Sequence, residues 1–468
     1  MKKLDRRKFL KATSASALSL ASLSTVTSTL TSFSASAQEN DDYKALVCVF
    51  LFGGLDNHEV VLPYDEENWQ AYAAIRESLL SPQGANRERE NLLPLFPLNQ
   101  STFGAREFAL PPELSRIKKL FDEGNAAIIG NVGPLIRPTD RKSFEENSVL
   151  LPPRLFSHND QQSVWQANAP EGAQFGWGGL FADAAIAQNP AQSVDFSTIS
   201  SSSDALFLTG TLARPYQIST DGAASIQLLK RFENSEDTFD QRLYQQLRAH
   251  FSGEINETSH LITQDVINLM QNSLAANEKY NRSKNESEPL TTSFPASPLG
   301  QQLRVIAESI SMRNNLNVNR QVFFVGIGNF DTHSDQASNL PKLLEQVDES
   351  IDAFYRSMQS LGLGSDVTLF TASDFGRTLT VNGDGTDHGW GGHHFVVGDA
   401  VIGQQILGDI PPPAFEHDKD AGNGRLIPSV SIEQFASPLG RWFGLSEEEI
   451  ANTFPNLENF QTNELRFI

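Results

Sequence analysis

An α/β fold built on a mostly parallel, doubly wound sheet with helices on both faces is predicted by three features of this 468-residue chain. Strand-length runs are apolar throughout, a long amphipathic helix separates two of them, and Gly-, Asp- and His-rich turns lie beside them. Runs apolar on both faces belong to sheets covered by helices on either side. Lys44 to Phe52 is the first and stops at Gly53-Gly54. Ala126 to Gly130, Gln321 to Gly326 and Asp366 to Thr371 follow, with His394 to Val397 as a short fifth. Between the third and fourth, Leu340, Leu344, Val347, Ile351, Phe354, Met358 and Leu361 recur at steps of four and three, which is one helix face. Strand, helix, strand at this spacing predicts a right-handed parallel crossover. Polar stretches near 80–104 and 276–300 read as loops or insertions, with Asn285 to Pro289 as the best joint.

The first residues read as an address. Asp5-Arg6-Arg7-Lys8-Phe9-Leu10 places two arginines ahead of a weakly apolar, hydroxyl-rich stretch that ends in Ala35-Ser36-Ala37. This is the pattern of a twin-arginine signal peptide over 1–37, cleaved before Gln38. It predicts use of the twin-arginine translocase, a periplasmic or secreted product and one domain over 38–468. Leu18, Leu20, Leu23 and Val26 among so many hydroxyls are too few for a membrane anchor. Beyond residue 37 the chain carries 30 Lys and Arg against 56 Asp and Glu. A surface this acidic repels phosphate backbones and anionic lipid, which argues against nucleic-acid and membrane partners. The single cysteine, Cys48, lies inside the first apolar run, so no intrachain disulfide is available and the thiol reads as structural.

In open α/β sheets ligands bind beyond the carboxyl ends of the strands. The first strand is followed by Gly53-Gly54-Leu55-Asp56-Asn57-His58 and the third by Gly328-Asn329-Phe330-Asp331-Thr332-His333. The fourth is followed by Ser373-Asp374-Phe375-Gly376-Arg377. Asp387-His388-Gly389-Trp390-Gly391-Gly392-His393-His394 stands just ahead of the fifth. Each Asp alone reads as a turn or cap residue. Their repetition at strand ends reads as a metal site drawing on Asp56, Asp331, His333, Asp374, His388 and His393. Carboxylate and imidazole donors suit one or two divalent ions: zinc first, or magnesium, manganese or calcium. Spacing does not separate His388 and His393 from His394.

Leu155 to Gln166 reads as a helix start with Ser157 at the N-cap. A serine there is either the cap or a nucleophile beside backbone N–H groups that favour an anionic substrate. His158 reads as a ligand or as a hydrogen-bond donor to substrate. Arg377 reads as an anion clamp or as one half of a salt bridge. No phosphate loop, nucleophile elbow or dinucleotide fingerprint is present.

Together these stretches resemble the exported bacterial family known as domain of unknown function 1501. The likeness is carried by Phe52-Gly53-Gly54-Leu55-Asp56, Val60 to Tyr64, Phe156-Ser157-His158, Phe330-Asp331-Thr332-His333 with Gln336, Ser373 to Thr378, Asn382-Gly383 and Thr386 to His394. That family is similar to the alkaline phosphatase and sulfatase superfamily. The resemblance implies metal-dependent hydrolysis of phosphate or sulfate esters, with a small-molecule or polysaccharide-derived anionic ester as substrate. It implies metal-ligand roles for Asp56, Asp331, His333, Asp374 and His388, with Ser157 as candidate nucleophile. Phe375 stands where phosphatases of the superfamily commonly carry a histidine. This departure motivates the alternative of an exported metal- or ligand-binding protein without catalysis.

Overall fold

Alternate side chains of the first strand, β1 (Lys44–Leu51), pack into two different cores, and this sets the layers of the molecule. Ala45, Val47, Val49 and Leu51 face one, while Leu46, Cys48 and Phe50 face the other. Successive side chains of a strand point to opposite faces, so a strand apolar at every position needs cover on both. The computed structural model describes residues 43–202, 206–223, 232, 235–251, 261–460 and 465–468. The predicted signal segment 1–37 lies outside the described residues.

The central sheet has ten strands: β1, β2 (Ala126–Gly133), β3 (Thr198–Ser200), β4 (Tyr216–Ser219), β5 (Gly222–Ala223), β6 (Arg320–Ile327), β7 (Val367–Ser373), β8 (Gly392–Val397), β9 (Ile406–Gly408) and β10 (Val430–Ser431). The order is β9-β2-β8-β7-β1-β6-β3-β4-β5, and β10 also pairs with β2. β1 runs parallel to β6 and β7, with Leu51 opposite both Ile327 and Ser373. Most pairings are parallel. β8 runs antiparallel to both of its neighbours, β7 and β2. All five predicted strands are in this sheet, and the fourth reaches Ser373 while the fifth begins at Gly392.

The direction of β8 decides where the site forms. Residues ahead of a parallel strand lie at the amino edge of a sheet, far from the ends of β1, β6 and β7. Because β8 is reversed, the loop that precedes it lies at their carboxyl edge.

Six helices matter below: α1 (Glu66–Leu80), α2 (His158–Ala167), α3 (Trp177–Gln188), α4 (Pro298–Ser311), α5 (Gln336–Ser360) and α6 (Ile432–Phe443). α4 and α5 cover the face that holds Val47 and Val49, and α5 buries the predicted stripe from Leu340 to Met358. α2, α3 and α6 cover the other face through Trp165, Trp177, Phe181, Phe435 and Leu439. One expectation is corrected. The stretch 276–286 is the last part of a helix, Leu261–Glu286, and the connection begins only at Ser287. Ala276, Tyr280 and Ser283 are buried at helical spacing, while the polar residues that made the segment look like a loop occupy the other face. Among the described residues no helix is long and apolar enough to cross a membrane.

Candidate metal centre

Four loops meet at the carboxyl edge because glycines let their backbones touch. Gly53, after β1, has φ +114, and a Cβ there would sit 2.4 Å from the Asp331 nitrogen in the loop after β6. Gly376, after β7, packs on the Gly391 carbonyl, which a Cβ would approach to 2.1 Å. Larger residues would separate the loops that carry Asp331, Asp374 and His388.

His158, Asp331 and His388 each place one ligand atom within 4.8 Å of the other two. His158 Nε2 lies 3.4 Å from Asp331 Oδ2, and His388 Nε2 lies 3.4 Å from Asp331 Oδ1. His333 joins from the rim, with Nε2 at 3.1 Å from Asp331 Oδ1 and 2.9 Å from His388 Nε2. The far nitrogens are already committed. His158 Nδ1 meets Asp374 Oδ2 at 2.7 Å, and His388 Nδ1 meets the Phe156 carbonyl at 2.8 Å. Both partners are acceptors, so each Nδ1 carries a proton, and in the neutral ring each Nε2 presents a lone pair. His158 Nε2 is buried without a hydrogen-bond partner. Two neutral imidazoles that turn Nε2 toward one carboxylate form a donor set that fits a divalent ion.

Supporting groups hold these side chains in place. Asp374 is fully buried and also accepts from the Gly53 N–H and from Gln162 Nε2 at 2.8 Å. His158 and Gln162 reach it together because an i, i+4 pair shares one face of α2. Phe156 presents its carbonyl from a left-handed backbone, φ +72, which is strained for an aromatic residue. The Arg425 guanidinium stacks on its ring and donates to the His388 carbonyl. Buried Arg377 grips Asp331 Oδ1 at 3.0 Å, the Gly53 carbonyl at 3.0 Å and the hydroxyl and carbonyl of Thr386.

The electrostatics follow from these contacts. The Asp374 hydrogen bond raises the His158 pKa against the effect of burial. Burial lowers that of His388, with the Phe156 carbonyl opposing and His158 and Arg377 adding to the fall. Burial alone would raise the Asp331 carboxyl, but Arg377 outweighs it and holds the group below its ordinary value.

Two predicted ligands stand elsewhere. Asp56 is buried at 1 % exposure and forms a two-armed pair with Arg76, at 2.5 and 3.2 Å, while accepting from Gln336 Nε2 at 2.5 Å. Burial opposes ionisation there, but the guanidinium prevails and the carboxyl stays below its ordinary value. Arg76 thus neutralises Asp56, and the positive charge a metal would supply is already built in. His393 is buried, its Nδ1 accepting from the Asn131 N–H at 2.9 Å, and burial pushes it down to about 3. His394 lies edge-on to Trp165 and is likewise driven to about 3. Asp374 orients His158, and Arg377 is one half of a buried salt bridge. Ser157 takes the N-cap position but makes no side-chain cap bond; its hydroxyl donates to Asp160 Oδ2 at 2.9 Å.

Sequence reasoning passed over Arg76, Gln162 and Asp160. Arg76 had a signal, because it shares the buried side of α1 with Tyr72, Leu79 and Leu80. An arginine on such a face needs a buried acid. Gln162 carried only its i, i+4 spacing from His158.

The family described as "Protein of unknown function (DUF1501)" matches residues 43–453, and this chain belongs to it. No curated protein matches the chain. Among solved structures, the chain is similar to Ps i-CgsB in complex with k-i-k-neocarrahexaose at 10 % identity and TM-score 0.33, covering 89 % of this chain and 77 % of that one. It is also similar to the PsFucS1 sulfatase from Pseudoalteromonas sp., at 10 % identity and TM-score 0.31, covering 82 % and 73 %. The lipoteichoic acid synthase LtaP from Listeria monocytogenes gives 9 % identity and TM-score 0.25, covering 80 % and 69 %.

Proposed function

We propose that this chain is an exported, metal-dependent hydrolase of phosphate or sulfate esters. The observation that supports it most is the pair of histidines whose Nδ1 atoms are bound to acceptors and whose Nε2 atoms face one carboxylate. His158, Asp331 and His388 would hold the ion, with His333 at the rim. Two imidazoles and a carboxylate are a zinc donor set rather than the all-oxygen set of magnesium or calcium. The reading takes one ion, since Asp56 is neutralised by Arg76. Once bound, a divalent ion supplies Lewis-acid polarisation of an ester oxygen and neutralises developing charge.

The chain's own residues have definable parts. Asp374 and the Phe156 carbonyl keep the protons of His158 and His388 on Nδ1. Arg377, buried with four of its five N–H donors on Asp331, Gly53 and Thr386, fixes Asp331 in this reading and is not the group that binds substrate. Ser157 lies between Phe156 and His158, both of which touch the centre. If its Oγ attacks, the phosphorus–oxygen or sulfur–oxygen bond to the alcohol breaks. The hydroxyl proton passes to Asp160 Oδ2, which already accepts it, and on to the departing alkoxide, and water then clears the serine ester. The substrate is an anionic ester, of a small molecule or of polysaccharide origin. The twin-arginine translocase delivers the folded chain, because this donor set exists only once the sheet has formed.

The test is turnover of 4-nitrophenyl phosphate and 4-nitrophenyl sulfate by metal-replete protein, with and without chelator. Cleavage that stops on chelation and returns with zinc is the expected result. Survival of that turnover in Ser157→Ala would remove the serine and keep the hydrolase. Stoichiometric metal with no cleavage of either ester would favour the non-catalytic alternative. That second reading is supported by Arg377, which is spent on Asp331 instead of being open to a substrate anion.

A further inference from the structure

Arg377 is held on Asp331, so an anion at this edge needs another arginine, and the loop between β9 and β10 supplies Arg425. That loop has an unusual backbone. Gly422, Asn423 and Gly424 are left-handed in succession, with φ of +99, +60 and +68. Glycine enters that region freely and asparagine occasionally, and both normally do so as single residues. Asp420, 3 % exposed, holds the turn by accepting from the N–H groups of Glu416, Gly422 and Gly424 at 2.8, 2.7 and 2.9 Å. The Gly424 carbonyl accepts from the Leu379 N–H and from His58 Nε2, both at 3.3 Å. The Leu426 carbonyl accepts from the Gly391 N–H at 2.8 Å, which ties the loop to the one that carries His388. Strain fastened this firmly persists where the position of a side chain matters.

The side chain so placed borders the metal-ligand cluster. Arg425 Nε donates to the His388 carbonyl at 2.8 Å and Nη1 to the Gly422 carbonyl at 3.2 Å. Its guanidinium carbon lies 5.3 Å from the centre of the Phe156 ring, and the Phe156 carbonyl is the group that holds His388 Nδ1. Two of its five N–H groups are thus in use, and the other three meet no acceptor among the described residues. Nor does a described carboxylate pair with it, whereas Arg76, Arg154 and Arg377 each have one. Stacking and the bond to His388 fix the guanidinium plane, so little freedom is left to lose when a ligand arrives. A half-buried, planar fork of N–H donors matches two oxygens of a tetrahedral oxyanion.

We propose that Arg425 binds the phosphoryl or sulfuryl oxyanion of the substrate, the part that Arg377 does not take. The inference rests on the reading of His158, Asp331 and His388 as the metal centre, because the ion and Arg425 share one anion. It does not require that the centre turns over. It also answers the charge of the chain. With 56 Asp and Glu against 30 Lys and Arg beyond residue 37, the global field opposes an anion, and only local cations draw one in.

Phosphorus NMR titration of the zinc-loaded protein with inorganic phosphate tests this without turnover. Saturable binding is expected, weakened about tenfold or more in Arg425→Met. Arg425→Lys, which keeps the charge and loses the fork, should fall between the two. Arg356→Met, near the far end of α5, removes an arginine paired with Asp352 and Glu123 and should leave binding unchanged. Inorganic sulfate should displace the phosphate, and whichever oxyanion binds more tightly names the ester. Zinc stoichiometry should be the same in every variant. No phosphate binding to the wild type, or equal affinity in Arg425→Met, would overturn the assignment. Loss of zinc from Arg425→Met would also overturn it, by making Arg425 a support for His388. Where that variant fails to fold, phenylglyoxal labelling of the wild type with peptide mapping decides. Phosphate should protect Arg425 and leave Arg356 labelled, and no protection of Arg425 sinks the idea. Phosphate bound through Arg425 with no ester cleaved would uphold the inference and remove only the hydrolase.

Discussion

Asp56 and Asp331 follow neighbouring strands of one sheet, and the chain treats their charges in opposite ways. Asp56 is sealed at 1 % exposure against Arg76 and Gln336, and every part of that cluster is supplied by the protein. Asp331 keeps 43 % of its side chain exposed, with Arg377 on one side and the Nε2 atoms of three histidines on the other. A buried carboxylate without a partner is costly, so a sealed site must contain its own cation. An open site can leave part of that role to an ion from solution. The contrast separates a structural ion pair from the proposed binding centre, though both lie in motifs of the same outward form.

The largest expected effect comes from the open site. Asp331→Ala should reduce bound metal from about one per chain to none and lower ester turnover by roughly 10³-fold or more. The metal-free protein should also lose roughly 1–3 kcal/mol of stability, because the buried Arg377 guanidinium is left without its carboxylate while its bonds to the Gly53 carbonyl and Thr386 remain. Metal analysis, turnover and urea unfolding check the three parts, and retained metal would break the comparison.

The sealed site should respond the other way round. Arg76→Met leaves Asp56 buried and unpaired and should destabilise the protein by roughly 3–5 kcal/mol with metal stoichiometry intact. Its pH dependence should change sign. In the wild type the Asp56 pKa lies below 3.8, so its stabilisation is present above that value and is lost as pH falls through the folded pKa. Without Arg76, burial raises the pKa, and the variant should gain stability relative to wild type as pH falls toward 4. Denaturant unfolding at pH 4, 5.5 and 7 measures this, and loss of metal at unchanged stability would mean that Asp56 is a ligand after all.

A smaller effect should come from the group behind His158. Asp374→Asn removes the carboxylate that holds the Nδ1 proton, and metal affinity should fall about 10- to 100-fold with the ligands still in place. Competition with a chromophoric chelator reads this directly. Unchanged affinity would show that orientation of His158 does not depend on Asp374.

Much of the framework was legible because local patterns carry it. β1, β2, β6 and β7 announce themselves as runs apolar on both faces, and α5 as one stripe of Leu, Val, Ile, Phe and Met. Asp331 and His333 were legible as an Asp-x-His pair after a strand. The stretch 276–286 misled because its solvent face is rich in Asn, Lys and Glu, while the packing positions Ala276, Tyr280 and Ser283 are few. Asp56 misled for a different reason. Its partner lies twenty residues on, on the hidden face of another element, and local composition does not reveal which arginine is buried.

The sequence by itself determined five of the ten strands of the central sheet, the glycine turns beside them and the set of Asp and His residues near their ends. These follow from backbone sterics and apolar periodicity, which act over a few residues. Only the tertiary structure decided that β8 runs backwards, bringing His388 to the carboxyl edge while His393 and His394 enter the packed interior. It also decided that Arg76 claims Asp56 while His158 and His388 keep their Nε2 atoms turned toward Asp331. Charge pairing and desolvation depend on distance and burial, and those exist only after the chain has folded.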